Sequence, residues 1–151
     1  MNKNDVYSNL AERHGYRDSL RYRRILEYLM TPKQAKLAAL MPMKYEELAS
    51  ELESDVQAVK KEVESLYRRG VVFSRGPENL EDASFALAVV QLHDITMCSF
   101  DRDELRDKKL FELWDDFCVN EWDLDQVADW MKREQPQGRI VPAYKAIFKS
   151  P

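Results

Sequence analysis

Six polar side chains between positions 54 and 68 have the types and spacing to read a nucleic acid. They are Ser54, Gln57, Lys60, Lys61, Glu64 and Arg68. On a helix they fall along one face, because positions three and four apart lie one above the other. A glutamine there can pair with adenine, and lysines can reach phosphates or guanine. Arg75, a few residues on, could enter a minor groove. Arg17, Arg21 and Arg24 share a basic face on a predicted helix over 17–30 and are candidate contacts to a phosphate backbone. The blander reading of that arginine face is a solvated surface.

No set of residues resembles a catalytic centre. The chain has no glycine-rich phosphate loop, no metalloprotease helix motif and no nucleophile elbow. His14 and His93 are far apart in sequence, and His93, Asp94 and Cys98 match no standard ligand spacing. Asp115 and Asp116 are neighbours on a predicted helix and point apart, as solvated charges do. The two cysteines, Cys98 and Cys118, are too few and isolated for a cluster, and read as small core side chains. The expectation is a non-enzymatic binding module with no cofactor in this chain.

The elements that must position the polar face are legible. Tyr45 to Leu52 reads as a helix with Leu48 and Leu52 inward and Glu46, Glu47 and Glu51 outward. Ser54-Asp55-Val56-Gln57 then reads as a capping box opening a second helix, with Ser54 as its cap. That helix places Val56, Val59, Val63, Leu66 and Tyr67 inward, and Gly70 stands where a left-handed stop is wanted. Val71 to Ser74 is a short strand, and Arg75 to Asn79 is the turn of a wing. Ser84 onward returns as a strand that soon becomes helical. Over 86–97 periodicity alone leaves strand and helix open. Two helices, a tight turn and a hairpin together predict a winged helix-turn-helix.

Around this unit lie further helices. Residues 1–15 form an arm with Tyr7, Leu10 and Ala11 on one face, ending at Gly15. Thr31-Pro32-Lys33-Gln34 is a capping box with proline at the first helical position, and the helix it opens stops at Pro42. Asp101 to Glu104 opens another helix carrying Leu110, Leu113, Trp114 and Phe117, and Asp123 to Gln126 opens one carrying Leu124, Val127, Ala128 and Met131. The aromatics Phe111, Trp114, Phe117, Trp122 and Trp130 are expected to dock this acidic lobe on the winged helix. The predicted fold class is therefore mainly α with a small β-wing. Its divisions are an N-terminal helical arm (1–30), a winged helix-turn-helix (31–92), an acidic helical lobe (93–135) and an extended tail or linker (136–151).

Charge weighs against a simple DNA binder. The net charge is −4 over 151 residues, unevenly spread. Residues 1–76 carry 14 basic and 11 acidic side chains, residues 77–135 carry 6 and 16, and residues 136–151 carry 3 and none. Only the first part could face phosphates. Even there, residues 55–69 hold four basic and three acidic side chains, less positive than a duplex reader usually concentrates. No apolar run approaches the roughly 20 residues of a membrane span, and the N-terminus has no signal-peptide core, so a cytoplasmic protein is expected.

Four pieces in order, DVYSNLAERHG, RRILEYLMTPKQAKLAALMPMKYEELASEL, VKKEVESLYRRGVVFSR and RIVP (Arg139 to Pro142), carry a resemblance. Over about residues 5–145 the chain resembles the N-terminal winged-helix region of ferredoxin-type 4Fe-4S proteins of anaerobic bacteria. In that family an iron–sulfur segment with clustered cysteines follows the RIVP-like motif. This sequence stops before such a segment, and Cys98 and Cys118 do not match the cluster cysteines, so no cluster-binding residue carries over. The chain is then either a fragment of a longer 4Fe-4S protein or a stand-alone relative. The resemblance implies an accessory role in redox metabolism, docking a redox or iron–sulfur protein. The residue-level alternative is a DNA-binding transcriptional regulator using Ser54–Arg69 as its recognition helix. Terminal helices leave room for a homodimer.

Overall fold

Asp5 opens the first helix by accepting a hydrogen bond from the Tyr7 backbone N–H at 2.9 Å. The computed structural model describes residues 5–98 and 107–132. Helix α1 (Val6–Glu12) buries Tyr7, Leu10 and Ala11, the face its spacing predicts. Burial alone would raise the Asp5 carboxyl, but hydrogen bonds from Arg23, the Tyr7 N–H and Ser8 outweigh it and hold the group below its usual range.

Helix α2 (Leu20–Leu29) is capped by Ser19 and buries Tyr22, Ile25, Leu26 and Leu29. Arg17 thus precedes the helix rather than lying on it. Helix α3 (Pro32–Leu40) begins with the predicted capping box: Thr31 accepts from the Gln34 N–H, and Gln34 accepts from the Thr31 N–H. Thr31→Ala should cost about 1 kcal/mol of stability, read as a lower urea midpoint at unchanged m-value. Side chains from elsewhere satisfy the carbonyls that end α2 and α3. Tyr7 Oη donates to the Met30 carbonyl at 2.9 Å, Arg69 Nη1 to Leu29 at 2.9 Å, and Arg13 Nη2 to Ala39 at 2.6 Å.

Helices α4 (Tyr45–Glu51) and α5 (Val56–Arg68) pack on each other, and α3 packs on α5. The turn between α4 and α5 corrects the sequence reading. The cap of α5 is Asp55, which accepts from the N–H groups of Gln57 and Ala58, not Ser54. Ser54 is committed to closing α4: its N–H bonds the Ala49 carbonyl at 2.9 Å, while Glu53 bonds Ser50 and takes the left-handed conformation, φ +47°. This double closure uses the residue after the left-handed one, so the next cap must lie one position later. Helix α5 ends by the same device. Gly70, at φ +74°, bonds the Tyr67 carbonyl, and Val71 bonds Leu66, each at 2.9 Å. A Cβ on Gly70 would meet Ile95 Cγ2 at 2.7 Å and its carbonyl oxygen at 2.9 Å, so glycine is also required by space.

Strand β1 (Val72–Phe73) pairs antiparallel with β2 (Ser84–Phe85), with Val72 opposite Phe85 and Phe73 opposite Ser84. The connection contains a 3₁₀ turn at Pro77–Asp82 that packs against α5. Helix α6 (Val89–Met97) follows β2 closely, so the segment over 86–97 is helical after a strand start. Helix α7 (Lys108–Phe117) packs on α2 and α6. The predicted helix start at Asp101–Glu104 lies outside the described residues.

The architecture among the described residues is mainly helical with one two-stranded antiparallel sheet. The chain divides into two compact units, residues 1–117 and 118–151. In the first, Trp114 and Phe117 are buried against Tyr22, while Phe111 is exposed, so only part of the expected aromatic set packs there. The second unit contains a π-helical turn, Cys118–Trp122, leading into helix α8 (Asp123–Met131). The predicted tail over 136–151 lies outside the described residues. None of the helices among the described residues is long and apolar enough to cross a membrane.

Candidate functional site

Helix α5 brings the predicted polar residues to one face. Gln57, Lys60, Lys61, Glu64 and Arg68 are exposed, and Ser54 is half-buried at the turn before the helix. The opposite face buries Val59, Val63 and Leu66, which fixes the rotation of the helix. Val56 and Tyr67, also expected inward, are half-buried at the margins.

The charges on and around this face are arranged differently from a basic groove. Lys60 lies over the Tyr45 ring, its Nζ 5.2 Å from the centroid, so one of its two candidate lysines leans toward α4. Burial, reinforced by the nearby carboxylates of Glu81 and Glu64, pushes the Tyr45 phenol above its ordinary range. Glu81 comes from the connection between the strands and faces the Tyr45 backbone N–H at 3.4 Å. Glu62 turns aside to accept from Gln34 Nε2 at 2.7 Å. Lys33 Nζ reaches Ser54 Oγ at 3.2 Å, placing a cation at the start of α5. Sequence periodicity signalled none of these partners, because each comes from a different element.

Arg75, the candidate wing residue, is exposed, as are Glu78, Glu81 and Asp82 on the same connection. A cleft lined by Phe73, Arg75, Asp82, Ser84, Leu87 and Gln91 opens next to it. The arginines before and on α2 have partners. Arg17 pairs with Glu12, and Arg21 Nε with Asp116 Oδ1 at 3.0 Å. Arg24 is exposed.

Among the described residues, no group of three or more His, Cys, Asp or Glu is placed to hold a metal ion. His14 bonds Tyr22 and the Ala86 carbonyl, and His93 Nδ1 lies 2.8 Å from Asp94. Cys98 is exposed and Cys118 half-buried. Comparison with family models, with curated proteins and with solved structures finds no match for this chain.

Proposed function

We propose that residues 31–92 are a winged helix-turn-helix serving as a protein-docking or regulatory module, with no catalytic role. The helix pair α4–α5 and the hairpin β1–β2 support the fold reading. One observation carries the functional reading. Over α4, α5 and the connection between the strands, the exposed cations number four, Lys60, Lys61, Arg68 and Arg75, against seven exposed carboxylates. Glu46, Glu47 and Glu51 come from α4, Glu64 from α5, and Glu78, Glu81 and Asp82 from the connection. Both elements flanking α5 are thus acidic. A phosphate backbone on either side would meet repulsion, whereas a protein surface of mixed charge would find complementarity. The resemblance to ferredoxin-type 4Fe-4S proteins suggests a redox or iron–sulfur protein as the partner, in an anaerobic setting.

The test is retention of a random DNA duplex at low salt. The expected result is no binding tighter than about 100 μM, the weak end of non-specific affinity. Low-micromolar binding that falls steeply with added salt, and that is lost in Lys60→Glu/Lys61→Glu at unchanged helix content, would overturn the proposal. It would install α5 as a recognition helix for DNA.

A further inference from the structure

The hairpin β1–β2 carries a cleft on the face turned away from the core. Val72 and Phe85 stand opposite each other and are buried, so the neighbouring pair, Phe73 and Ser84, points to the other side. With Leu87, just before α6, and Gln91 on it, that pair lines a cleft of about 550 Å³, within the range that small ligands occupy. Arg75 and Asp82 complete its walls. Both are exposed and opposite in charge, yet among the described residues neither forms an ion pair. Ser74 holds the turn that presents Arg75: its Oγ donates to the Gly76 carbonyl at 2.6 Å and accepts from the Gly76 N–H at 3.3 Å. Gln91 Oε1 accepts from the Leu87 N–H at 2.8 Å, which leaves Nε2 as the donor of that amide.

A ligand for these walls must carry both signs of charge. A simple anion would meet Asp82, and a simple cation would meet Arg75. It must also bring apolar groups to Phe73 and to Leu87, which is 78% exposed. The Ser84 hydroxyl can accept a hydrogen bond and Gln91 Nε2 can donate one, the pair of partners that a single amide group needs. We propose that the cleft binds a zwitterionic dipeptide with apolar side chains. Its carboxylate pairs with the Arg75 guanidinium, its ammonium with the Asp82 carboxylate, and its peptide group with Ser84 and Gln91. A single amino acid has both charges but no peptide group for Ser84 and Gln91. The binding holds whether or not α5 docks a protein.

Calorimetric titration of the full chain with the dipeptide Leu-Phe is the test. Saturable binding with a Kd of about 1 mM or tighter is expected. N-acetyl-Leu-Phe, which lacks the ammonium, and Leu-Phe amide, which lacks the carboxylate, should each bind at least about tenfold more weakly, the scale of one lost charge-assisted hydrogen bond. Asp82→Asn should weaken the free dipeptide and erase its advantage over the acetylated form, and Arg75→Gln should do the same against the amide. Both side chains are exposed, so helix content by circular dichroism should stay unchanged. Failure to saturate by about 10 mM overturns the proposal. Equal affinity for all three ligands overturns it too, because the cleft then takes an extended stretch of a longer peptide and does not read free ends.

Discussion

Trp114→Ala is expected to lower folding stability by about 3–5 kcal/mol, measured by urea unfolding followed by circular dichroism. Trp114 is 1% exposed and sits where α7 meets both α2 and α6. Its ring centroid lies 6.2 Å from Tyr22 and 6.0 Å from Phe117, and the His93 ring meets it edge-on at 5.0 Å. Its Nε1 donates to Thr96 Oγ1 at 3.2 Å, and Thr96, fully buried, in turn donates to the His93 carbonyl. Truncation removes the ring contacts and leaves a void that those aromatics, held on separate helices, can fill only in part. Phe111→Ala is the control. It lies one turn earlier on α7 and is 56% exposed, so its cost should stay within about 0.5 kcal/mol. The ion pair Arg21–Asp116 cannot make up the difference, because both side chains are about 40% exposed and such pairs contribute roughly 0–1 kcal/mol. Equal effects of the two substitutions would mean that α7 is not docked through Trp114.

What sequence periodicity reveals, and what it misses, divides by the range of the interaction. The buried face of α1, the Thr31 capping box and the Gly70 stop all depend on residues within one or two turns. Those were readable. The shift of the α5 cap from Ser54 to Asp55 was not, because it depends on how α4 closes: Glu53 in a left-handed conformation has no glycine to announce it. For the candidate site, the exposed face of α5 followed from its apolar spacing, so Gln57, Lys60, Lys61, Glu64 and Arg68 emerge together. Their electrostatic setting did not follow. Asp116 pairs with an arginine 95 positions away, and Glu81 reaches Tyr45 across 36. Counting charges by segment found the acidic excess after residue 77, but only the folded connection shows that part of it stands beside α5.

His14 is a further long-range example, reaching Ala86 across 72 positions, and it carries the second large expected effect. It follows α1, stacks on Phe85 of β2 with ring centroids 5.1 Å apart, and lies beside Tyr22, whose ring also meets Tyr16. The Ala86 carbonyl, 2.6 Å from Nε2, can only accept, so Nε2 carries the proton. Nδ1 then accepts from the Tyr22 hydroxyl, which burial pushes to a high pKa and keeps protonated. Burial also lowers the pKa of His14. The Ala86 hydrogen bond opposes that shift, and nearby Arg13 adds to it. The neutral ring is therefore the form the fold accommodates. At pH 7.5, His14→Ala should cost about 2–4 kcal/mol, combining an orphaned buried Tyr22 hydroxyl with the lost ring stack. The sign of the pH dependence follows from the lowered pKa. Below the unfolded value of 6.5 the unfolded chain takes up a proton that the folded chain refuses. The contribution of His14 is complete above that pH and is lost as the pH falls toward the folded pKa, at no more than about 1.4 kcal/mol per pH unit. The cost of His14→Ala should therefore shrink between pH 7.5 and 5.5, and the variant should lose less stability over that interval than the native chain. Parallel stability curves would show that His14 binds its proton equally well in the folded and unfolded chains, and that burial does not lower its pKa.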